Sequence, residues 1–336
     1  MARRRLTKQQ KNRIQAIQQK RRKRLDTRAE SALAEAEDGE SIEGQVIIRH
    51  GATLVVEDGA GELIQCQTRQ NIGDPVCGDR VILEMTGSAS GVVTALLPRE
   101  SVLSRPDFSG REKPLAANLT QLVIVLAPRP EPSGYLLDQY LVTAETIQVK
   151  PIIAINKTDL LEGGAAEEFY SSLAHYDGIG YPIVRISAKL DHGLDALIDK
   201  LQGETSILVG QSGVGKSSLI NSLLPNHDVE TGRLSQATGL GCHTTSAATL
   251  YHLAQGGELI DSPGVRSFRL SDLSREEIEH GFPEFRPFLG ECRFHNCTHE
   301  HEPDCAILTA MNEGKISLLR LENFQRLCHK TIRKSG

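Results

Sequence analysis

No run of apolar residues in this 336-residue chain approaches the roughly 18 needed for a helix to cross a bilayer, so a membrane-spanning helix is excluded and no membrane partner is expected. Met1 to Lys11 lacks the hydrophobic segment of a signal peptide, and the N-terminal stretch has too little Ser for an organellar transit peptide, so a cytoplasmic location is expected. Seven cysteines are an odd count for a disulfide framework. Three of them crowd between Cys292 and Cys305 beside several histidines, which suggests metal in a reducing compartment. Aromatic residues make up only 4% of the chain, and residues 41 to 97 contain no Phe, Tyr or Trp. Acids outnumber Lys and Arg there by seven to three, so stacking of single-stranded bases is not expected in that segment.

The length allows two or three domains, and 39% hydrophobic with 24% charged residues indicates a soluble multidomain protein. The net charge of −5 conceals an asymmetry: residues 1 to 28 carry twelve Lys or Arg and one acid, leaving −16 on the rest. Residues 1–40 are expected to be a disordered basic arm, suited to phosphate backbones or serving only as a solvated tail. Residues 41–100 hold five short β-rich runs (44 to 48, 53 to 57, 62 to 67, 80 to 85 and 91 to 96) and predict a small closed barrel of the OB type. Across 101–272, the apolar runs LVIVLA, PIIAIN, PIVRIS and SILVG alternate with helical segments, the pattern of a mostly parallel sheet covered by helices. Residues 273–336 are expected to be a small, mainly α, zinc-binding domain ending in one basic helix from Ala306 to Lys334.

The run Gly210, Gln211, Ser212, Gly213, Val214, Gly215, Lys216, Ser217 fits the P-loop pattern between a strand and a helix beginning at Ser218. Its glycines let backbone N–H groups curl around phosphate oxygens, Lys216 reaches the β and γ phosphates, and Ser217 binds Mg²⁺. The choice of base falls to Asn156-Lys157-Thr158-Asp159. The Asp159 carboxylate can accept from guanine N1–H and the exocyclic amine, which adenine cannot match, while Asn156 places the loop and the Lys157 stem lies along the ring. Ser187, Ala188 and Lys189 fit the second guanine loop. Asp261-Ser262-Pro263-Gly264 fits DxxG, with Asp261 holding Mg²⁺ through water and the Gly264 N–H sensing the γ-phosphate. The Gly-rich stretch 239–245 stands where the first switch belongs, with Thr245 the expected Mg²⁺ ligand and Thr244 its alternative.

The guanine motifs precede the P-loop here, the reverse of the Ras-like order, which implies a circularly permuted α/β GTPase domain joined near Gln202 to Thr205. The segment after DxxG then leads directly into the cysteine cluster. Val265 occupies the place where many GTPases orient water with a Gln. His243 is the local substitute as general base or water-orienting group, against a reading as a loop histidine with no catalytic role. Slow turnover, raised by a partner that orders the switches, follows; Gly213 gives no support to a potassium-assisted mechanism. Cys292, Cys297, His299 and Cys305, spaced C-x4-C-x-H-x5-C, suit one tetrahedral structural zinc, with His295 and His301 as alternatives to His299. Cys66, Cys77, Cys242 and Cys328 read as ordinary buried or loop thiols.

Together with Val76-Cys77-Gly78-Asp79-Arg80-Val81 and Lys113-Pro114-Leu115-Ala116-Ala117-Asn118, these motifs resemble the circularly permuted small ribosomal subunit biogenesis GTPases, the RsgA or YjeQ family, over nearly the whole chain. The resemblance implies an OB-fold domain, GTP and GDP as ligands, and a GTPase stimulated by the small (30S) ribosomal subunit and its rRNA. It also implies a late maturation role near the decoding region, and help from His243 in hydrolysis. A monomer is expected. The competing reading is a GTP-gated RNA-binding or recruitment module in which hydrolysis is incidental, and a generic P-loop ATPase is opposed by the NKTD tetrad.

Overall fold

The computed structural model describes residues 41–70, 72–106, 112–225, 248–262 and 273–335, with isolated helical positions at 23, 27, 29 and 31. His243, Thr244, Thr245, Val265, Gly264 and Cys242 lie outside the described residues, as does most of the basic arm. Two compact units divide the chain, one comprising Met1–Glu100 with Thr231–Thr249 and the other Ser101–Glu230 with Leu250–Gly336.

In the first unit, β1 (Ile42–His50), β2 (Thr53–Asp58), β3 (Leu63–Thr68), β4 (Arg80–Gly87) and β5 (Ser90–Leu96) fall on the five expected runs. They pair in the order β1-β2-β3-β5-β4, and β4 returns to β1, so the sheet is a closed OB-like barrel. Its interior is aliphatic, built from Val46, Leu54, Val56, Ile64, Val81, Leu83 and Val93. The VCGDRV segment is tied by Asp79, which is fully buried. Its carboxylate accepts from Val76 N–H at 2.6 Å and from Arg99 Nε at 2.7 Å. Absence of structure was expected throughout the arm. At its described positions, the Thr27 and Ser31 hydroxyls donate to the carbonyls of Lys23 and Thr27, and Ala29 is buried against Ile82, Ala95 and Leu97. A methyl group is small enough to sit flush on a strand surface.

The second unit opens with a hairpin the sequence did not announce, β6 (Val102–Pro106) with β7 (Glu112–Ala117). Then come β8 (Gln121–Leu126), α1 (Gly134–Thr146), β9 (Lys150–Ile155), α2 (Gly163–Ile179), β10 (Ile183–Arg185), α3 (Leu194–Leu201), β11 (Thr205–Val209), α4 (Lys216–Leu223), β12 (Thr249–His252) and β13 (Glu258–Asp261). The sheet order is β10-β9-β8-β11-β13-β12, with β10, β9, β8, β11 and β13 mutually parallel. β8 is buried at every position, as a central strand covered on both faces must be. The chain thus builds outward from β8 to β10, returns through the turn at Gln202–Glu204 to lay β11 on the other side of β8, and builds outward again. This is the permuted topology, and it puts a switch point between β8 and β11.

The C-terminal part belongs to the same compact unit: α5 (Arg275–His280), a 3₁₀ turn at Pro283–Phe288, α6 (Ala306–Asn312) and α7 (Leu318–Ser335). One helix was expected from Ala306; two are found. Gly314 takes φ +74°. Its N–H donates to Met311 O, and Lys315 N–H reaches back to Ala310 O, a Schellman end that closes α6. Phe282, Phe285, Ile307, Phe324 and Leu327 form the core here together with Val142 of α1 and the thiols Cys297 and Cys305.

Candidate functional site

Five loops leave the carboxyl ends of the parallel strands around the β8/β11 switch point, where open α/β sheets bind ligands. After β11, Gly210 has φ +140°, and a Cβ there would stand 2.3 Å from Val125 O, so only glycine lets the loop turn against β8. Gly213 and Gly215 also have positive φ, and Val214 is fully buried between them. Lys216 Nζ donates to the carbonyls of Gly210 at 2.7 Å and Gln211 at 2.6 Å, which holds the ammonium against the loop. Ser212, Gly213, Ser217 and Ser218 are exposed.

Asn156, at the end of β9, ties three loops together. Its Nδ2 donates to Val214 O at 3.0 Å and its Oδ1 accepts from Ala188 N–H at 3.1 Å, with the side chain buried. Gly215 packs so closely that a Cβ would meet Asn156 Nδ2 at 2.4 Å. Lys157 adopts left-handed backbone at φ +60°, and its Nζ donates to Gly213 O at 2.6 Å and Arg129 O at 3.1 Å. Arg129, in the loop after β8, was not among the expected site residues. Asp159 Oδ1 accepts from the buried Ser187 hydroxyl at 2.6 Å, which fixes one carboxylate oxygen. Lys189 is exposed beyond them. Asp261 ends β13, the strand that pairs with β11, and Ser262 follows it buried.

The second cluster lies between α5 and α6. The ligand atoms of Cys292, Cys297, His299 and Cys305 all lie within 4.8 Å of one another. Cys292 Sγ is 3.8 Å from Cys305 Sγ and 3.6 Å from His299 Nδ1, and the latter is 3.3 Å from Cys305 Sγ. Tetrahedral zinc with Zn–S bonds of about 2.3 Å requires S···S edges of about 3.8 Å, so the donor set fits that ion. Burial pushes the Cys297 thiol up to about 12, a cost that a divalent cation on the thiolate would offset. His299 Nε2 faces Glu279 Oε1 at 3.6 Å, the outer contact that orients a ligating imidazole. His295 and His301 are exposed and stand outside the group. Glu302 braces the loop by accepting from the Thr298 N–H and hydroxyl and from the Glu300 and His301 N–H groups. Burial opposes its charge, but those bonds win and hold the carboxyl well below its usual range.

A family model described as RsgA GTPase matches residues 96–271, a span covering β8 through β13 and every nucleotide motif. The chain belongs to the RsgA GTPase family. It is 45% identical to the small ribosomal subunit biogenesis GTPase RsgA of Azotobacter vinelandii, over 97% of both chains. It also resembles the crystal structure of YjeQ from Thermotoga maritima (TM-score 0.72, 33% identity, 87% of this chain and 99% of that one). The structure of YloQ, described as a circularly permuted GTPase, is similar over 88% of this chain and 96% of its own, with TM-score 0.69 and 29% identity. The RsgA family match thus agrees with the permuted strand order. Among the described residues no helix is long and apolar enough to cross a membrane.

Proposed function

We propose that this chain is a cytoplasmic GTPase that binds the small ribosomal subunit and its rRNA, assists late maturation of that subunit, and hydrolyses GTP to GDP and phosphate when the subunit stimulates it. The observation that carries the reading is Asn156, which ties the P-loop, the NKTD loop and the SAK loop together by hydrogen bonds, in a chain that matches a small ribosomal subunit biogenesis GTPase over 97% of its length.

In this reading Asp159 accepts from guanine, Ala188 N–H meets the base oxygen, and Gly210 to Ser218 cradle the phosphates with Lys216 on the β and γ oxygens. Ser217, Asp261 and Thr245, or Thr244 in its place, would hold a Mg²⁺ that neutralises charge on those oxygens. Gly264 N–H senses the γ-phosphate, and His243 orients the attacking water. Zinc at Cys292, Cys297, His299 and Cys305 is structural, because four protein ligands leave no open position. The protein acts as a monomer without a membrane partner. GTP turnover of the full chain, measured with and without purified small subunits, tests the proposal. Strong stimulation is expected; unstimulated turnover would favour a recruitment module in which hydrolysis is incidental.

A further inference from the structure

The first turn of α1 is held by α7. A Cβ on Gly134 would meet Asn323 Nδ2 at 3.4 Å and Leu319 Cδ2 at 3.7 Å, so α7 lies directly against that turn. Asp138, one turn on, is fully buried and accepts from Arg320 Nη1 at 2.5 Å and Asn323 Nδ2 at 2.7 Å, while Arg320 Nε also donates to Glu284 at 2.6 Å. Tyr135 packs on the C-terminal core and carries two cations of α7 over its ring. Lys330 Nζ lies 4.0 Å and the Arg326 guanidinium carbon 4.9 Å from the ring centroid. Both cations are exposed, and at i and i+4 they share one face of the helix.

A short loop ties the same turn to the guanine corner. Ser133 caps α1, its hydroxyl accepting from Leu136 N–H at 3.3 Å. Between that cap and β8 lie Ala127 to Pro132, where Pro128, Pro130 and Pro132 fix φ at every second position. Arg129 O accepts from Lys157 Nζ at 3.1 Å, and the same ammonium donates to Gly213 O at 2.6 Å. Pro130 Cδ would stand 3.6 Å from a Cβ on Gly213, and Lys157 Cε 3.6 Å from one on Gly215. The Lys157 stem therefore crosses the phosphate loop and is pinned at its tip by the Arg129 carbonyl. A loop with so little slack passes a displacement of the first turn of α1 on to that carbonyl, and so to the lysine.

We propose that Tyr135 is a positioning residue: with Arg326 and Lys330 on its ring, it couples the seating of α7 to the placement of Lys157, and through it to guanine-nucleotide affinity. This rests on reading Lys157 and Gly210 to Ser217 as parts of the nucleotide site. By linkage the coupling is reciprocal, so nucleotide against Lys157 steadies α7.

Substitutions in the full chain test it. Tyr135→Leu keeps apolar bulk and removes the ring; Arg326→Gln with Lys330→Gln removes the cations and leaves the ring. Each change is expected to weaken fluorescent GDP binding about threefold, the scale of exposed cation–π contacts. All three substitutions together are expected to bind no more weakly than the poorer of the two proteins, because both cut one connection. Tyr135→Phe keeps the aromatic face and is expected to bind as the wild type does. Multiplied effects, a Tyr135→Phe protein as weak as Tyr135→Leu, or a Tyr135→Leu protein of lowered Tm with unchanged GDP affinity overturn the coupling. Should Tyr135→Leu fail to fold, the exposed pair Arg326→Gln and Lys330→Gln carries the test, and unchanged affinity there overturns it. Amide exchange without nucleotide gives a second reading. The Asn156 and Thr158 amides donate to Leu126 O and Ile186 O. Their exchange is expected to quicken in Tyr135→Leu beyond any change at the β8 amides and to stay at the wild-type rate in Tyr135→Phe; equal rates in Tyr135→Leu and wild type overturn the proposal. A wild type that fails to bind GDP would sink the nucleotide reading instead, and the exchange comparison would then decide the coupling alone.

Discussion

The side-chain amide of Asn156 donates to the Val214 carbonyl at 3.0 Å across 58 residues of chain. The guanine motif and the phosphate loop, reversed in sequence, are thereby held in direct contact. Asn156→Ala leaves Val214 O and Ala188 N–H without partners in a buried site, each costing about 1–3 kcal/mol. GDP and GTP affinities are expected to fall together by about tenfold or more, since the γ-phosphate plays no part in this contact. Equilibrium titration with both nucleotides checks it. A loss confined to GTP would place the role of Asn156 elsewhere.

Asp159 has one oxygen fixed by Ser187, which presents the carboxylate in a single orientation. Asp159→Asn replaces an acceptor by a donor where guanine presents N1–H and an amine. Two charge-assisted bonds are at stake, so GDP affinity is expected to drop roughly 100-fold. Xanthosine diphosphate, with an oxygen in place of the amine, is expected to gain ground on GDP in the same variant. Competition titration measures the ratio, and an unchanged ratio would refute a base-reading role for Asp159.

The sheet and the loops at its switch point were legible in the sequence because their signals are local. Apolar runs mark β8, β9 and β11, and motif glycines mark turns where a Cβ cannot fit, as at Gly210. The β6–β7 hairpin was hidden because Pro106 and Pro114 interrupt its alternation. The break after α6 carried a readable sign in Gly314, with Ser317 capping the next helix through Arg320 N–H, but a run of helix formers masked it. The cluster of Asp138, Glu284 and Arg320 had no local signature at all: Asp138 and Arg320 are 182 residues apart, and only the fold brings them together. Sequence spacing did suffice to pick out Cys292, Cys297, His299 and Cys305 as one cluster, because they fall within fourteen residues of a loop-rich segment.

The cysteine cluster shares its core with Val142 of α1, so loss of a metal bound there should be felt beyond the loop. Full-length protein is expected to carry one zinc per chain by elemental analysis. Cys305→Ser is expected to lose it, because Cys305 lies at 3.8 Å from Cys292 Sγ and 3.3 Å from His299 Nδ1 and no other described thiol completes the set. Losing a structural ligand at a buried site is worth about 3–5 kcal/mol here, or roughly a 6–20 °C fall in Tm for a unit of this size. Zinc retained at full stoichiometry in Cys305→Ser would exclude the proposed ligand set.

The permutation was closed by a short turn, and Glu204 is its anchor. Glu204 N–H bonds Leu201 O, its carbonyl accepts from Glu258 N–H at 2.8 Å, and its carboxylate meets Lys150 Nζ at 2.5 Å. Gly257 lies so near that a Cβ would stand 2.3 Å from Leu201 O. Partial burial would raise the Glu204 carboxyl, but the bonds from Lys150 and Thr120 and the Lys150 charge outweigh it, so its pKa is lowered on folding. A lowered carboxylate contributes stability above its unfolded pKa of about 4.3 and loses that stability as pH falls through the folded value. The Lys150 end is largely exposed, so screening keeps the pair to about 0.5 kcal/mol. Glu204→Gln is therefore expected to be slightly less stable than wild type at pH 7, with the two converging as the pH drops below 4. Urea unfolding at both pH values measures this, and a gap that persists or widens in acid would show that Glu204 acts through packing and not through its charge.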